Sequence, residues 1–231
     1  MNKKTIAGIA ALALAGIAAL WMCLSAIART AYGGYNALRV VIDAGHGGID
    51  GGVSGVTTGT KESDINLEIA LFLQEELEDA GVEVTLTRKT QAGLYGTTAR
   101  YFKRRDMEKR REIIEKTAPH AVVSVHQNFF ADRSKRGATV FFRRGDGSGE
   151  ALAMAIQSQF NGFEGTPSAR TPLIGDYYML NCTAYPSVIV ECGFLSNPDD
   201  EALAVSEAYR RTAAERIARG VLSFLAKNVS S

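Results

Sequence analysis

Short, strongly apolar runs that each close on a polar or charged residue constrain the fold of this chain more than any other feature. Three of them cover residues 38–43, 121–126 and 187–191, and they end at Asp43, His126 and Glu191. Runs this short and this rich in β-branched side chains indicate strands that are buried on both faces. The chain is therefore expected to contain a sheet enclosed by other elements.

Segments with a helical spacing of apolar residues lie between these runs. Helices are predicted over residues 64–80, 102–116, 149–160 and 199–227 (the last as one or two helices), and further strands over 82–87 and 137–142. The helix over 102–116 is expected on the surface because it is highly charged and has only a narrow apolar stripe. Strands alternating with helices predict an α/β fold, with a mainly parallel sheet covered by helices on both faces.

The N-terminal segment is predicted to be an export signal or a membrane anchor. Lys3 and Lys4 precede an uncharged run over residues 5–27, and a helix rising about 1.5 Å per residue over that length can cross a hydrocarbon core of about 30 Å. The run is longer than a usual signal-peptide core, yet Ala26-Ile27-Ala28 resembles a cleavage site. Either way the rest of the chain is expected outside the membrane. The predicted organisation is a signal or anchor over 1–28, a linker over 29–37 and one folded domain over 38–227.

The charge balance gives no argument for a nucleic acid or an acidic membrane surface as a partner. The formal net charge is +1, from 26 basic and 25 acidic residues, so no global charge excess points to nucleic acid or to an acidic membrane surface. The cysteines give no disulfide framework, because Cys182 and Cys192 can pair but free thiols are the simpler interpretation. The function must therefore come from a local site.

Four residues near the ends of predicted strands and loops can form such a site. His46 lies in the glycine-rich segment after the first strand, and His126 closes the third. Because ligands bind beyond the carboxyl ends of strands in open α/β sheets, both imidazoles are expected to face one crevice. Glu62 ends a Gly/Thr-rich loop. Glu191 stands at the tip of a very apolar strand, where a charge needs a partner or a task.

These residue types suit metal-dependent hydrolysis. Two histidines and one carboxylate, with a fourth position left to water, are a common ligand set for catalytic zinc, although other divalent ions accept similar ligands. A further carboxylate can take the water's proton and pass it to a leaving nitrogen. Asp43 and Asn128 can orient the metal ligands by hydrogen bonds without binding the metal themselves. Spacing alone leaves a structural role for the histidines open, and His120, which lies in no motif, is expected to be structural.

The glycine-rich loop also invites a nucleotide-binding interpretation. In this loop, however, Asp50 stands where a G-x-G-x-x-G motif needs its third glycine. The G-K-[ST] of a P-loop is missing from it as well. Phosphate binding is therefore not expected.

Four blocks of sequence, in order, resemble a known family. They are residues 40–48 (VVIDAGHGG), Glu62 before Ile65-Asn66-Leu67, residues 124–128 (SVHQN) and residues 190–197 (VECGFLSN). Together they resemble the zinc-dependent N-acetylmuramoyl-L-alanine amidases of the amidase-3 type, and the resemblance covers about residues 38–225. It implies a single domain with a twisted, mixed, six-stranded sheet flanked by helices.

The resemblance also implies an activity. Members of this family hydrolyse the amide between N-acetylmuramic acid and the L-alanine of the peptidoglycan stem peptide. By resemblance, one zinc ion is bound by His46, Glu62 and His126, and Glu191 is the catalytic residue. Cys192 follows Glu191 directly, and alternation along a strand is expected to turn its thiol to the opposite side.

Within the family, a short chain with an N-terminal hydrophobic segment and no wall-binding repeats resembles the CwlD-type sporulation amidases. These help to form the muramic-δ-lactam of the spore cortex, which germination requires. The resemblance implies action outside the cytoplasmic membrane or in the forespore intermembrane space, and some relatives need a lipoprotein activator. Another zinc-dependent wall peptidase or deacetylase, and a non-catalytic wall-binding regulator, remain alternatives.

Overall fold

Strands and helices alternate along most of the chain in the computed structural model, which describes residues 37–228 except 98, 99, 164 and 167. The strands are β1 (Arg39–Ala44), β2 (Glu83–Leu86), β3 (Ala121–Asn128), β4 (Thr139–Phe142), β5 (Leu173–Ile174) and β6 (Ser187–Phe194). The helices are α1 (Glu62–Asp79), α2 (Phe102–Thr117), α3 (Gly147–Phe160), α4 (Tyr178–Asn181), α5 (Pro198–Ala204) and α6 (Glu207–Asn228).

The six strands form one mixed sheet in the order β2-β1-β3-β6-β4-β5. The pairs β1–β2, β1–β3 and β3–β6 are parallel, whereas β4 runs antiparallel to β6 and parallel to β5. The carboxyl ends of β1, β3 and β6 therefore meet at the same edge as the start of β4. The mixed six-stranded sheet implied by the family resemblance is confirmed.

Strict alternation along the strands gives the sheet two unlike faces. On one face, side chains such as Ile42, Val123 and Val190 join a large apolar cluster with α1, α3 and α6. On the other, a smaller cluster contains Val41 and Ile189 together with residues of α2 and α4. The core is thus covered on both sides, as the run pattern predicts for doubly buried strands.

Several sequence-based expectations need correction. The apolar runs that became β3 and β6 were expected to end at His126 and Glu191. The strands continue to Asn128 and Phe194, because His126 and Glu191 pair with each other inside the sheet. The helix α2 lies on the surface only in part, since it buries Asp106 and Arg110. The two-residue strand β5 and the four-residue helix α4 were not predicted.

The expectations for Cys192 and His120 are confirmed, whereas the one for the N-terminal segment concerns residues that the structure does not describe. Cys192 is fully buried in the large apolar cluster, on the face opposite Glu191, and both described cysteines are free thiols. His120 is structural, since its Nδ1 accepts a hydrogen bond from the backbone N–H of Arg39 at 3.0 Å. The predicted signal or anchor over 1–28 lies outside the described residues. In the described part of the chain, no helix has the length and apolar character needed to cross a membrane.

Candidate active site

Three of the predicted site residues meet at the carboxyl edge of the sheet. His46 lies in the loop after β1, Glu62 begins α1, and His126 lies in β3. The two carboxylate oxygens of Glu62 lie 3.3 Å from His46 Nε2 and 2.9 Å from His126 Nδ1. One ligand atom from each of the three residues falls within 4.8 Å of the others. A carboxylate between two imidazoles at this separation is a donor set that suits a zinc ion.

Two glycines make room for this cluster. A Cβ atom at Gly45 would lie 2.3 Å from the His126 ring. A Cβ at Gly52 would lie 2.4 Å from the Glu62 carboxylate, and Gly52 also has a left-handed backbone with φ 68°. No side chain can occupy either position without displacing a candidate ligand, which is why glycine is needed at both.

Glu62 is held as an anion. Its Oε1 accepts hydrogen bonds from the backbone N–H of Gln127 at 3.1 Å and from Asn66 Nδ2 at 3.2 Å. Burial alone would raise the pKa of Glu62, but hydrogen bonds from His126 and His46 outweigh it and hold the pKa far below its usual range. The carboxylate is therefore charged at any pH at which the protein is expected to work.

Glu191 has the opposite electrostatic character. It is paired with His126 across β3 and β6, so it adjoins the three-residue cluster. Its Oε2 is buried and has no hydrogen-bond partner among the described residues. Burial, with a smaller contribution from the charge of Glu62, raises the pKa of Glu191 to about 7, although His126 opposes the shift. A carboxyl group in this state can both accept and donate a proton near neutral pH.

Two buried arginines that the sequence analysis did not single out fix the His46 loop. Arg88 donates from Nε to the carbonyl oxygen of Ala44 and from Nη2 to that of Gly45, each at 2.9 Å. Arg110 donates from Nη2 to the carbonyl oxygen of His46 at 2.6 Å. His46 itself has a left-handed backbone with φ 62°, unusual for a residue with a side chain. The guanidinium groups hold this segment in the conformation that turns the imidazole towards Glu62.

The two predicted supporting residues act at a distance from the ligands. Asp43 accepts hydrogen bonds from Thr87 Oγ1 at 2.8 Å and from Ser124 Oγ at 2.5 Å, and it pairs with Arg110. Through Arg110 it supports the backbone of the His46 loop. The Asn128 side chain accepts from the backbone N–H of Phe129 at 2.8 Å and shapes the loop after β3.

A residue that does contact a ligand directly is Asp50, which sequence reasoning treated only as a mismatch to a nucleotide motif. Its Oδ1 lies 3.0 Å from His46 Nδ1, the nitrogen that does not face Glu62. A carboxylate in this position orients the imidazole. The available signal was its position four residues after His46 in the same loop.

Comparison with known proteins agrees with this geometry. The profile of the N-acetylmuramoyl-L-alanine amidase family (Amidase_3) matches residues 40–223. The chain belongs to this amidase family. The amidase is 30% identical over 189 residues to the germination-specific N-acetylmuramoyl-L-alanine amidase of Bacillus subtilis (strain 168), covering 80% of this chain and 78% of the relative.

Solved structures give the same result. The CwlD amidase from Clostridioides difficile, in complex with the GerS lipoprotein, matches the amidase with a TM-score of 0.79 and 33% identity, covering 83% of this chain and 100% of that one. The N-acetylmuramoyl-L-alanine amidase from Clostridium difficile 630 matches with a TM-score of 0.73 and 29% identity, covering 84% and 99%. The fold, the enzyme class and the resemblance to CwlD are therefore established.

Proposed function

We propose that this amidase uses one zinc ion to hydrolyse the amide between the lactyl group of N-acetylmuramic acid and the L-alanine of the stem peptide. His46, Glu62 and His126 would hold the ion, and Glu191 would move the proton. The observation that carries the proposal is the juxtaposition of this His–Glu–His cluster with a buried carboxyl group whose second oxygen lacks a partner among the described residues. When bound, zinc supplies Lewis-acid polarisation of the scissile carbonyl and activation of water.

Glu191 is suited to both proton transfers of amide hydrolysis. As a carboxylate it accepts a proton from the attacking water while the new C–O bond forms. As a carboxylic acid it returns that proton to the leaving nitrogen while the C–N bond breaks, so the reaction releases an amine and a carboxylic acid, which loses its remaining proton to solvent. In the protein without metal, burial raises the pKa of Glu191 to about 7, so its two protonation states differ little in free energy near neutral pH.

The remaining residues hold these groups in place. Glu62 stays anionic, because His126 and His46 stabilise its charge, and it can therefore offset part of the charge of a divalent cation. Asp50 orients His46 through its other ring nitrogen. Arg88 and Arg110 fix the backbone of the His46 loop. Such preorganisation avoids a conformational cost during the reaction.

We further propose that the amidase acts outside the cytoplasm during spore cortex maturation, where it helps to form the muramic-δ-lactam needed for germination. The proposal is supported by the relative named as germination-specific and by the likeness to CwlD. Because that CwlD structure is a complex with a lipoprotein, a lipoprotein activator is proposed here as well. Residues 1–28 would direct export, either as a retained anchor that holds the enzyme at the outer face of the cytoplasmic membrane or as a cleaved signal.

Product analysis tests the activity directly. The full chain would be incubated with zinc and purified peptidoglycan, with and without a candidate lipoprotein, beside a Glu191→Ala control, and the products identified by mass spectrometry. Free stem peptides that begin with L-alanine, made by the parent and missing from the control, are expected. Peptide cleavage within the stem or loss of N-acetyl groups would point instead to a wall peptidase or a deacetylase. Zinc binding with no product under any condition would favour a wall-binding regulator.

A further inference from the structure

The order of strands indicates on which side of the active site each half of the substrate lies. His46 and His126 belong to the β1 and β3 side, Glu191 lies on β6, and β4 and β5 continue beyond it. In the proposed reaction the scissile carbonyl lies at the histidines, and the nitrogen that receives a proton from Glu191 lies next to that carboxyl group. The line from acyl group to leaving group therefore runs from β3 towards β4 and β5. The leaving group is the stem peptide.

An exposed apolar surface lies along this line, on the same face of the sheet as Glu191. Phe141 in β4 is paired with Ile189, which is two residues before Glu191 and so shares its face. Leu173 in β5 is paired with Phe141 and remains 48% exposed. The ring of Tyr177 contacts Phe141 edge-on, with 5.5 Å between the ring centroids. We call Phe141, Leu173 and Tyr177 the β4–β5 shelf.

Tyr177 is the member of the shelf that can also form a polar contact. It is 43% exposed, and its side chain combines an apolar ring with a hydroxyl group. Partial burial, and then the negative charge of nearby Glu191, raise the pKa of Tyr177. The phenol therefore stays protonated and can donate a hydrogen bond, while its ring offers apolar area.

Gly175, two residues before Tyr177, allows the ring of Tyr177 to lie close to the backbone. A Cβ atom at Gly175 would lie 2.6 Å from the Tyr177 ring. The backbone of Gly175 has no positive φ, so alanine would meet no backbone strain there. The close approach of the ring to this backbone is the feature that an added methyl group would disturb.

We propose that the β4–β5 shelf binds the first residues of the stem peptide and that Tyr177 is its principal contact. The distances suit this ligand, because adjacent strands lie about 4.8 Å apart and an extended peptide advances about 3.4 Å per residue. Glu191 is opposite Thr139, so Phe141 lies one strand and two residues away and Leu173 two strands and two residues away. About three residues of extended stem peptide therefore reach Phe141 and about four reach Leu173. The inference rests on the proposed function, which defines the leaving group.

Tyr178 provides a matched control. It is 44% exposed, almost the same as Tyr177, and is the next residue in the chain. Burial raises its pKa, and the charged groups that act on it lie on α2, among them Arg111 and Glu108. Truncation of Tyr178 removes a comparable aromatic surface that faces away from the leaving-group side.

The test measures binding and catalysis separately on the zinc-loaded full chain. Titration with a free stem tripeptide that begins with L-alanine, and separately with N-acetylmuramic acid, gives affinities that do not depend on turnover. Tyr177→Ala is expected to weaken tripeptide binding about tenfold, the usual effect of losing an aromatic anchor. Tyr177→Phe and Gly175→Ala are expected to have smaller effects in the same direction. Tyr178→Ala should change binding less than about twofold.

The outcomes separate this inference from the proposed function. If the parent binds the tripeptide through Tyr177 but releases no stem peptide from peptidoglycan, the shelf is supported and the amidase reaction fails. If the parent is an active amidase whose tripeptide affinity is undetectable, or unchanged in Tyr177→Ala, the shelf is refuted. Equal losses of tripeptide affinity in Tyr177→Ala and Tyr178→Ala would also overturn it. So would a Tyr177→Ala variant that binds N-acetylmuramic acid more weakly but the tripeptide as tightly as the parent does.

Discussion

The two faces of the sheet use the same strands for different purposes. On the face packed by α1, α3 and α6, nearly every inward side chain is apolar, as at Leu73 and Val190. On the face packed by α2 and α4, a smaller apolar cluster is continued towards the carboxyl edge by buried charged groups, among them Asp43 and Arg110. The first face supplies hydrophobic stabilisation, whereas the second holds His126 and Glu191, and Glu62 joins them at the carboxyl edge from the start of α1.

The difference shows what a site of this kind requires from its surroundings. A buried charge is tolerated only when it is paired or has its own hydrogen bonds. Asp43, Arg110 and Asp106 satisfy one another, and Glu62 is satisfied by two histidines and a backbone N–H. Glu191 is the exception, with one oxygen left unpaired among the described residues. That exception is where the proton chemistry is proposed.

The largest expected effect separates catalysis from packing. Glu191→Gln should lower kcat about 10²–10⁴-fold, the usual contribution of a general base, and leave zinc affinity nearly unchanged. His126→Ala should lower both zinc affinity and activity. Leu73→Ala on the opposite face should instead cost about 2–5 kcal/mol of unfolding free energy and spare the activity of the folded fraction. Zinc competition, turnover and denaturant unfolding measure the three quantities, and a comparable loss of activity in Leu73→Ala would break the division between the faces.

A second prediction concerns the buried ion pairs of the site face. Arg110→Met should lower the unfolding free energy by about 3–5 kcal/mol, because Asp43 would remain buried without its cation. The matched control is Arg104→Met on the same helix, where an exposed pair with Glu108 is removed and stability should hardly change. Urea unfolding of both variants compares them. Restoration of stability by adding Asp43→Asn to Arg110→Met would sharpen the assignment, whereas equal stability of the two arginine variants would contradict it.

A third prediction tests the space between the candidate ligands. Gly45→Ala places a methyl group against the His126 ring and should weaken zinc binding about 10–100-fold, the range seen when a ligand loses its orientation. Gly147→Ala, at the start of α3, meets nothing within 4 Å and should leave zinc affinity unchanged. Isothermal titration with zinc distinguishes the two. Unaltered affinity in Gly45→Ala would mean that His126 is not held against this backbone in the metal-bound state.

The fourth prediction concerns pH and stability in protein stripped of metal. Burial raises the pKa of Glu191 from 4.5 to about 7, so between these values the folded state binds more protons than the unfolded state. Stability contributed by this group is then complete below about pH 4.5 and decreases as the pH rises towards 7. Glu191→Gln should flatten this decrease, measured by urea unfolding with a chelator at about pH 5 and about pH 8. Identical pH profiles of parent and variant would rule out the raised pKa.

Much of the site could be predicted because the sequence next to each of its main residues is distinctive. His46, Glu62, His126 and Glu191 each adjoin an apolar strand or a glycine-rich loop, and the structure brings all four to one edge. The roles of these residues stay predictions until metal and product are measured. Asp50 and the two arginines were harder to recognise, because the residues around Arg110 in its charged helix and around Arg88 after β2 do not distinguish a buried arginine from an exposed one.

The sequence by itself determined the alternation of strands and helices and the burial of the central strands on both faces. These follow from local periodicity, which acts within a few residues. Only the tertiary structure decided that Arg110 holds the His46 backbone, that the two-residue strand β5 extends the sheet, and that Tyr177 lies beside Phe141 on the Glu191 face. Those contacts join residues far apart in the chain, and they depend on strand order and register, which no local pattern specifies.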